Sequence, residues 1–194
     1  MKDEVVVLAI ILIFAFGFLQ ESQGAIFVKV LTENPDQVQI VFERHRCFGT
    51  CPAYYFMIFG TGEAYLYNDP SSDSLSIGSV EKADIEFLLN EFEKSNFFDY
   101  NALYDLPYTD LSATSTALKL GERQFYVYNY GGAGPSSLRM LEEKIDRIKD
   151  NIKFESIELT KERCDKLYSN TFYFLGKNWS EVSKGYCYYA VDHA

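Results

Sequence analysis

Phe42 to Tyr67 reads FERHRCFGTCPAYYFMIFGTGEAYLY, and this stretch decides the fold. Ala53 to Phe59 is a continuous run of aromatic and apolar residues. Gly60-Thr61-Gly62 then turns the chain, and Ala64 to Tyr67 returns. Two such runs around a short glycine-bearing turn predict a β-hairpin. Upstream, Val38, Ile40 and Phe42 alternate with Gln39, Val41 and Glu43, a period of two that predicts a strand leading into the hairpin. Between strand and hairpin lie Cys47 and Cys51, three residues apart.

Downstream, Asn68 to Ser76 is rich in Asp, Ser and Pro and reads as a loop or a weak edge. A helical period begins after Ser79, the expected N-cap. Ile85, Leu88, Leu89 and Phe92 then form one apolar stripe, fading at Ser95-Asn96. Phe97 to Tyr108 is aromatic without a period and is expected to lie over the core. Thr114–Leu120 and Gln124–Tyr130 are two more strands around Gly121-Glu122. After Gly131–Pro135, a second helix starts at Pro135 or Ser136. Leu138, Leu141, Ile145, Ile148 and Ile152 repeat along it at intervals of three and four. Glu142, Glu143, Lys144, Asp146, Arg147 and Lys149 read as its solvated face.

The order β-β-β-α-β-β-α, with hairpins and one-sided helices, predicts an α+β fold. An antiparallel sheet from two hairpins plus an N-terminal strand carries two amphipathic helices on one face. Parallel strand–helix–strand repeats are absent, which argues against a dinucleotide fold.

The N-terminus reads MKDEVVVLAIILIFAFGFLQESQG. Its apolar run, Val5 to Leu19, is 15 residues, short of the ~20 a membrane span needs. Ser22 and Gly24 are the small residues that signal peptidase accepts, so 1–24 is expected to be a signal peptide cut after Gly24. Removing Lys2, Asp3, Glu4 and Glu21 takes the formal charge from -10 to -8 over 170 residues. That balance argues against nucleic acid as a partner. The expected setting is secreted or extracellular (periplasmic in a bacterium), with no stable membrane insertion after cleavage.

From about Val38 to Lys153 the chain resembles the domain-of-unknown-function family 6438, found mostly in secreted or lipid-anchored bacterial proteins. The residues that carry the resemblance are Arg46, Cys47-Phe48-Gly49-Thr50-Cys51-Pro52 and Tyr54, then Gly60 and Gly62. Phe97-Phe98, Tyr104, Thr109-Asp110 and Tyr130-Gly131-Gly132 follow, then Leu138, Leu141-Glu142 and Ile145-Asp146. The resemblance implies a fold unit and an exported setting, and no activity. It leaves 25–37 as a lead and 154–194 as an extension carrying Cys164 and Cys187.

Four cysteines in an exported chain imply disulfides, and proximity favours Cys47–Cys51 and Cys164–Cys187. A redox pair at Cys47 and Cys51 is the alternative. It is disfavoured because a strand, not a helix N-terminus, follows Cys51. A metal reading would use His45, Cys47 and Cys51, but the other histidine, His193, lies at the tail, so no metal site is assigned. Asp110 reads as a turn cap on the amides of Leu111 or Ser112. No nucleophile elbow, phosphate loop or zinc-protease motif occurs, and no cofactor is expected. Tyr65 and Tyr67 share one face of the first hairpin, and Tyr126, Tyr128 and Tyr130 one face of the second. They read either as an open binding surface or as sheet pairs partly covered by the tail. Asn178-Trp179-Ser180 is a glycosylation sequon in a eukaryotic host. The function expected is a non-catalytic module binding a protein or glycan, with extracellular thiol–disulfide exchange as the alternative.

Overall fold

Alternation from Val38 to Arg44 builds the central strand, β1 (Val38–Arg44). In the computed structural model, which describes residues 24–68, 75–158, 160–167, 173–174 and 177–178, β1 sits in the middle of an eight-stranded sheet. The predicted hairpins are β2 (Tyr54–Phe59) with β3 (Glu63–Asn68), and β6 (Ala113–Leu120) with β7 (Arg123–Tyr130). β1 joins them, pairing Arg44 with Tyr54 on one side and with Thr114 on the other. The remaining strands are β4 (Leu75–Ser79), β5 (Leu103–Tyr104) and β8 (Glu155–Ile157), and the order is β5-β7-β6-β1-β2-β3-β4-β8. The fold is α+β. The sheet departs from a purely antiparallel one only at its edge, where β5 runs parallel to β7.

Three helices are α1 (Gly24–Glu33), α2 (Lys82–Lys94) and α3 (Ser136–Asn151). The stripes read from the sequence are the buried faces: Ile85, Leu88, Leu89 and Phe92 of α2, and Leu138, Leu141, Ile145 and Ile148 of α3. They close on Val38, Ile40 and Phe42 of β1. Phe97 fills the seam, its ring 4.8 Å from that of Phe92. Ser79 does not cap α2. It ends β4, opposite Glu63, and Val80 N–H donates to Gly62 O at 2.8 Å. The sheet thus takes the residue that local preference assigns to the helix, and α2 begins after Glu81.

The lead is not a mere lead. Phe27 and Leu31 of α1 are buried in the same core. Gly60 makes this approach feasible: a Cβ there would stand 2.4 Å from Pro35 O and 2.9 Å from Leu31 Cδ1. The other face of the sheet is also covered. Val41, Met57, Phe59, Tyr65, Leu75 and Ala117 form a second, smaller cluster closed by Cys164 of α4 (Lys161–Leu167). Among the described residues, no helix is long and apolar enough to cross a membrane.

Candidate functional site

Register brings three loops to one end of the sheet, where β1 and β7 finish and β2 and β6 begin. There Cys47 and Cys51 are joined, with Cα atoms 5.7 Å apart, inside the span a disulfide needs. Gly49 lies at φ 147°, a backbone state that a side chain rarely adopts, and its N–H donates to Cys47 O at 3.0 Å. The tight loop throws Phe48 outward, 88% exposed. Tyr108 and Leu111, in the loop entering β6, are also exposed.

On the tyrosine face just behind this loop lies a polar file. Glu43, at the end of β1, and His45, just beyond it, point to the same side, as residues two apart on an extended chain must. His45 Nδ1 is 3.5 Å from Glu43 Oε1, and Nε2 is 2.6 Å from Ser115 Oγ. Tyr126 Oη donates to the same serine oxygen. Ser115 Oγ thus bonds both Tyr126 and Nε2, and the imidazole tautomer sets which of Ser115 and His45 donates. Burial pushes Glu43 up to about 7 and His45 down to about 4, and it also raises Tyr126. Their separation is within ion-pair range, yet between those two values the pair meets as a neutral acid and a neutral imidazole. Desolvation outweighs attraction here.

A serine, an imidazole and a carboxyl in file can perform acyl transfer when the serine faces open space. Ser115 is 1% exposed, and Tyr126 bonds it as well. The file is a buried polar network, not a nucleophile.

The helix face carries the opposite arrangement. Arg44 Nε donates to Asp146 Oδ2 at 2.9 Å, and Tyr54 Oη donates to the other oxygen. Lys149 Nζ lies 4.5 Å over the Tyr54 ring. One turn earlier on α3, Glu142 is buried and takes Thr114 Oγ1 at 2.8 Å and Asn129 Nδ2 at 3.1 Å. Asn129 Oδ1 accepts Gly134 N–H at 2.8 Å, which pins the glycine turn before α3. Burial raises the Glu142 carboxyl. Glu142 and Asp146 were expected on the solvated face; they instead anchor α3 to the sheet. The signal that could have found them is their place beside Leu141 and Ile145, in the resemblance motif.

The other expected site residues fall as follows. Asp110 lies in a bend, in the left-handed region at φ 68°, and accepts the Thr109 hydroxyl at 3.1 Å. It does not take the Leu111 amide, which donates to Tyr130 Oη at 3.0 Å. Tyr65, Tyr67, Tyr126, Tyr128 and Tyr130 lie opposite α1–α3, but not as an open surface. Tyr65 is 5% exposed and the rest are half-buried. The His45 ring stands 5.4 Å from that of Tyr128. With Cys47 and Cys51 bonded to each other, neither offers a thiolate to a metal. Among the described residues, no three metal-capable side chains gather. Cys164 is disulfide-bonded, and Cys187 lies outside the described residues, as does all of 1–23. Asn178 falls in a short strand, Lys177–Asn178, whose side chains are outside the description.

The model of a family described only as a domain of unknown function (DUF6438) matches residues 38–149. No curated protein and no solved structure shows a significant match to the chain. The matched span runs from β1 through nearly all of α3 and takes in the Cys47–Cys51 loop and the Arg44, Tyr54, Glu142 and Asp146 anchors, more than half of the chain; the protein belongs to the DUF6438 family.

Proposed function

We propose that this chain is an exported, disulfide-stapled binding domain and that its contact lies at the loop end of the sheet, around Phe48. The observation that carries the reading is an 88% exposed aromatic ring at the tip of a bridged five-residue loop. A ring held out by a short, cross-linked turn loses little freedom on binding, so more of its contact energy appears as affinity. Aromatic residues, Phe among them, are enriched at protein interfaces. The ring suits an apolar pocket on a protein or the flat face of a sugar. The export half of the reading rests on the apolar run Val5–Leu19 and on Ser22-x-Gly24. The bridge itself fits an oxidising compartment. A redox role is less well supported, because Cys51 leads through Pro52 and Ala53 into β2 rather than into a helix N-terminus.

The test uses the chain from Ala25 as bait in the native secretion, beside a Phe48→Ser bait. Loss of the captured species with Phe48→Ser, at a stability within about 0.5 kcal/mol of the native chain, supports the reading. Equal capture by both baits removes the loop from the contact.

A further inference from the structure

The sequence places signal-peptide cleavage after Gly24, and the described part of helix α1 runs from Gly24 to Glu33. Its buried side chains, Phe27 and Leu31, hold it against the core. At the far end of α2, Glu93 accepts the backbone N–H of Phe27. The Oε2 oxygen of Glu93 is sealed from solvent and has no hydrogen-bond partner among the described residues. With Ile26, Phe27, Phe97, Phe98 and Arg123, Glu93 lines a cleft of about 200 Å³.

A carboxylate oxygen in such a place calls for a cation. The neighbouring ones are engaged elsewhere. Lys94 and Lys144 both bond Glu91, and the Arg123 guanidinium stacks 4.0 Å over the Phe98 ring. Burial accordingly raises the Glu93 carboxyl. A chain that starts at Ala25 has the complementary defect. Its ammonium stands at a helix N-terminus, where the macrodipole already places about +0.5 charge. Ala25 precedes Phe27 by two residues, about 3 Å along a helix axis, so one carboxylate can reach both the Phe27 amide and the new amine.

We propose that removal of the leader creates the missing partner: the α-ammonium of Ala25 pairs with Glu93 and locks α1 onto the core. Hydrolysis of the Gly24–Ala25 bond consumes one water and leaves a carboxylate on Gly24 and an ammonium on Ala25. Processing and final packing are thereby coupled, since the uncut chain has an uncharged amide where the ammonium belongs. The inference rests on the export reading above, and the experiment separates the two.

Exported protein is first sequenced from its N-terminus. A start at Ala25 is expected, and any other start overturns both the cleavage site and the pair. The mature chain is then prepared with its α-amine free or acetylated, each with Glu93 and with Glu93→Gln. Acetylation should lower Tm by roughly 3–6 °C with Glu93 in place and by less than about 1 °C with Glu93→Gln. In the native background, carboxyl NMR titration should place the Glu93 midpoint lower with a free amine than with an acetylated one. Equal Tm values and equal midpoints for the two native-background chains, with a start at Ala25, overturn the pair and leave the export reading standing.

Discussion

Glu43, Arg44 and His45 are consecutive, yet they live under different electrostatic rules. Arg44 points to the helix face, where Asp146 meets it and Tyr54 shares the carboxylate. Glu43 and His45 point to the tyrosine face, where burial drives each toward its neutral form. The alternation of a strand sends neighbours to opposite faces, and each face has its own supply of partners. α3 brings acidic groups to one side. Beside Glu43 and His45, β6 and β7 bring the hydroxyls of Ser115 and Tyr126 to the other. A buried polar group can thus be satisfied by pairing charge or by giving it up, and two adjacent residues of one chain do both.

The largest expected effect comes from breaking the paired side. Asp146→Ala leaves Arg44, whose side chain is only 26% exposed, without its carboxylate. A loss of about 3 kcal/mol in urea unfolding is expected, and Arg44→Met with Asp146→Leu should restore most of it. A loss no larger than that of a surface residue would erase the contrast between the faces.

Next comes the bridge that closes the loop both faces share. Replacing Cys47 and Cys51 with serine should cost about 2 kcal/mol at most, because so short a loop removes little chain entropy. The fold should persist, and binding should weaken without being lost, because the Phe48 ring is then less restricted before contact. A pair found half reduced at ordinary glutathione ratios, by thiol alkylation, would reopen the redox reading.

The smallest effect sharpens the neutral side. Because Glu43 is raised from 4.5 to about 7, the folded chain keeps a proton there that the unfolded chain has lost, so this contribution to stability falls as pH rises through that window. Because His45 is lowered from 6.5 to about 4, the unfolded chain holds the extra proton, and this contribution falls as pH drops. In the native chain the two slopes oppose each other between 4.5 and 6.5. Relative to native, His45→Gln should therefore lose stability as pH rises from 4 to 6.5, and Glu43→Gln should gain it from 4.5 to 7. The amplitude should be roughly 1–2 kcal/mol, discounted because about a third of each side chain meets solvent. Chemical-denaturation midpoints across pH measure it. Parallel curves for native and variants would mean that neither group is perturbed.

Much of the fold was legible because its signals are local. The stripe at Ile85, Leu88, Leu89 and Phe92 and the alternation at Val38–Glu43 report which side is buried without naming what buries it. Glu142 and Asp146 were misread for the same reason. Charge on a helix facing a sheet looks like charge facing water until Arg44, Tyr54, Thr114 and Asn129 are placed opposite. The helix Gly24–Glu33 escaped notice because its apolar residues follow directly on the leader's, and Gly60 read as a turn residue rather than as a seat for Leu31. The file of Glu43, His45 and Ser115 had no motif at all, since 70 residues separate His45 from its serine.

By itself the sequence determined the periods, the turns, the stapled Cys47–Cys51 loop and hence the α+β class, because these depend on residues within a few positions of one another. Tertiary structure alone decided which charges are paired, which are neutral, and that the tyrosine face is half-covered while Phe48 is not. Those outcomes depend on desolvation, and desolvation is set by whatever distant segment arrives to displace water.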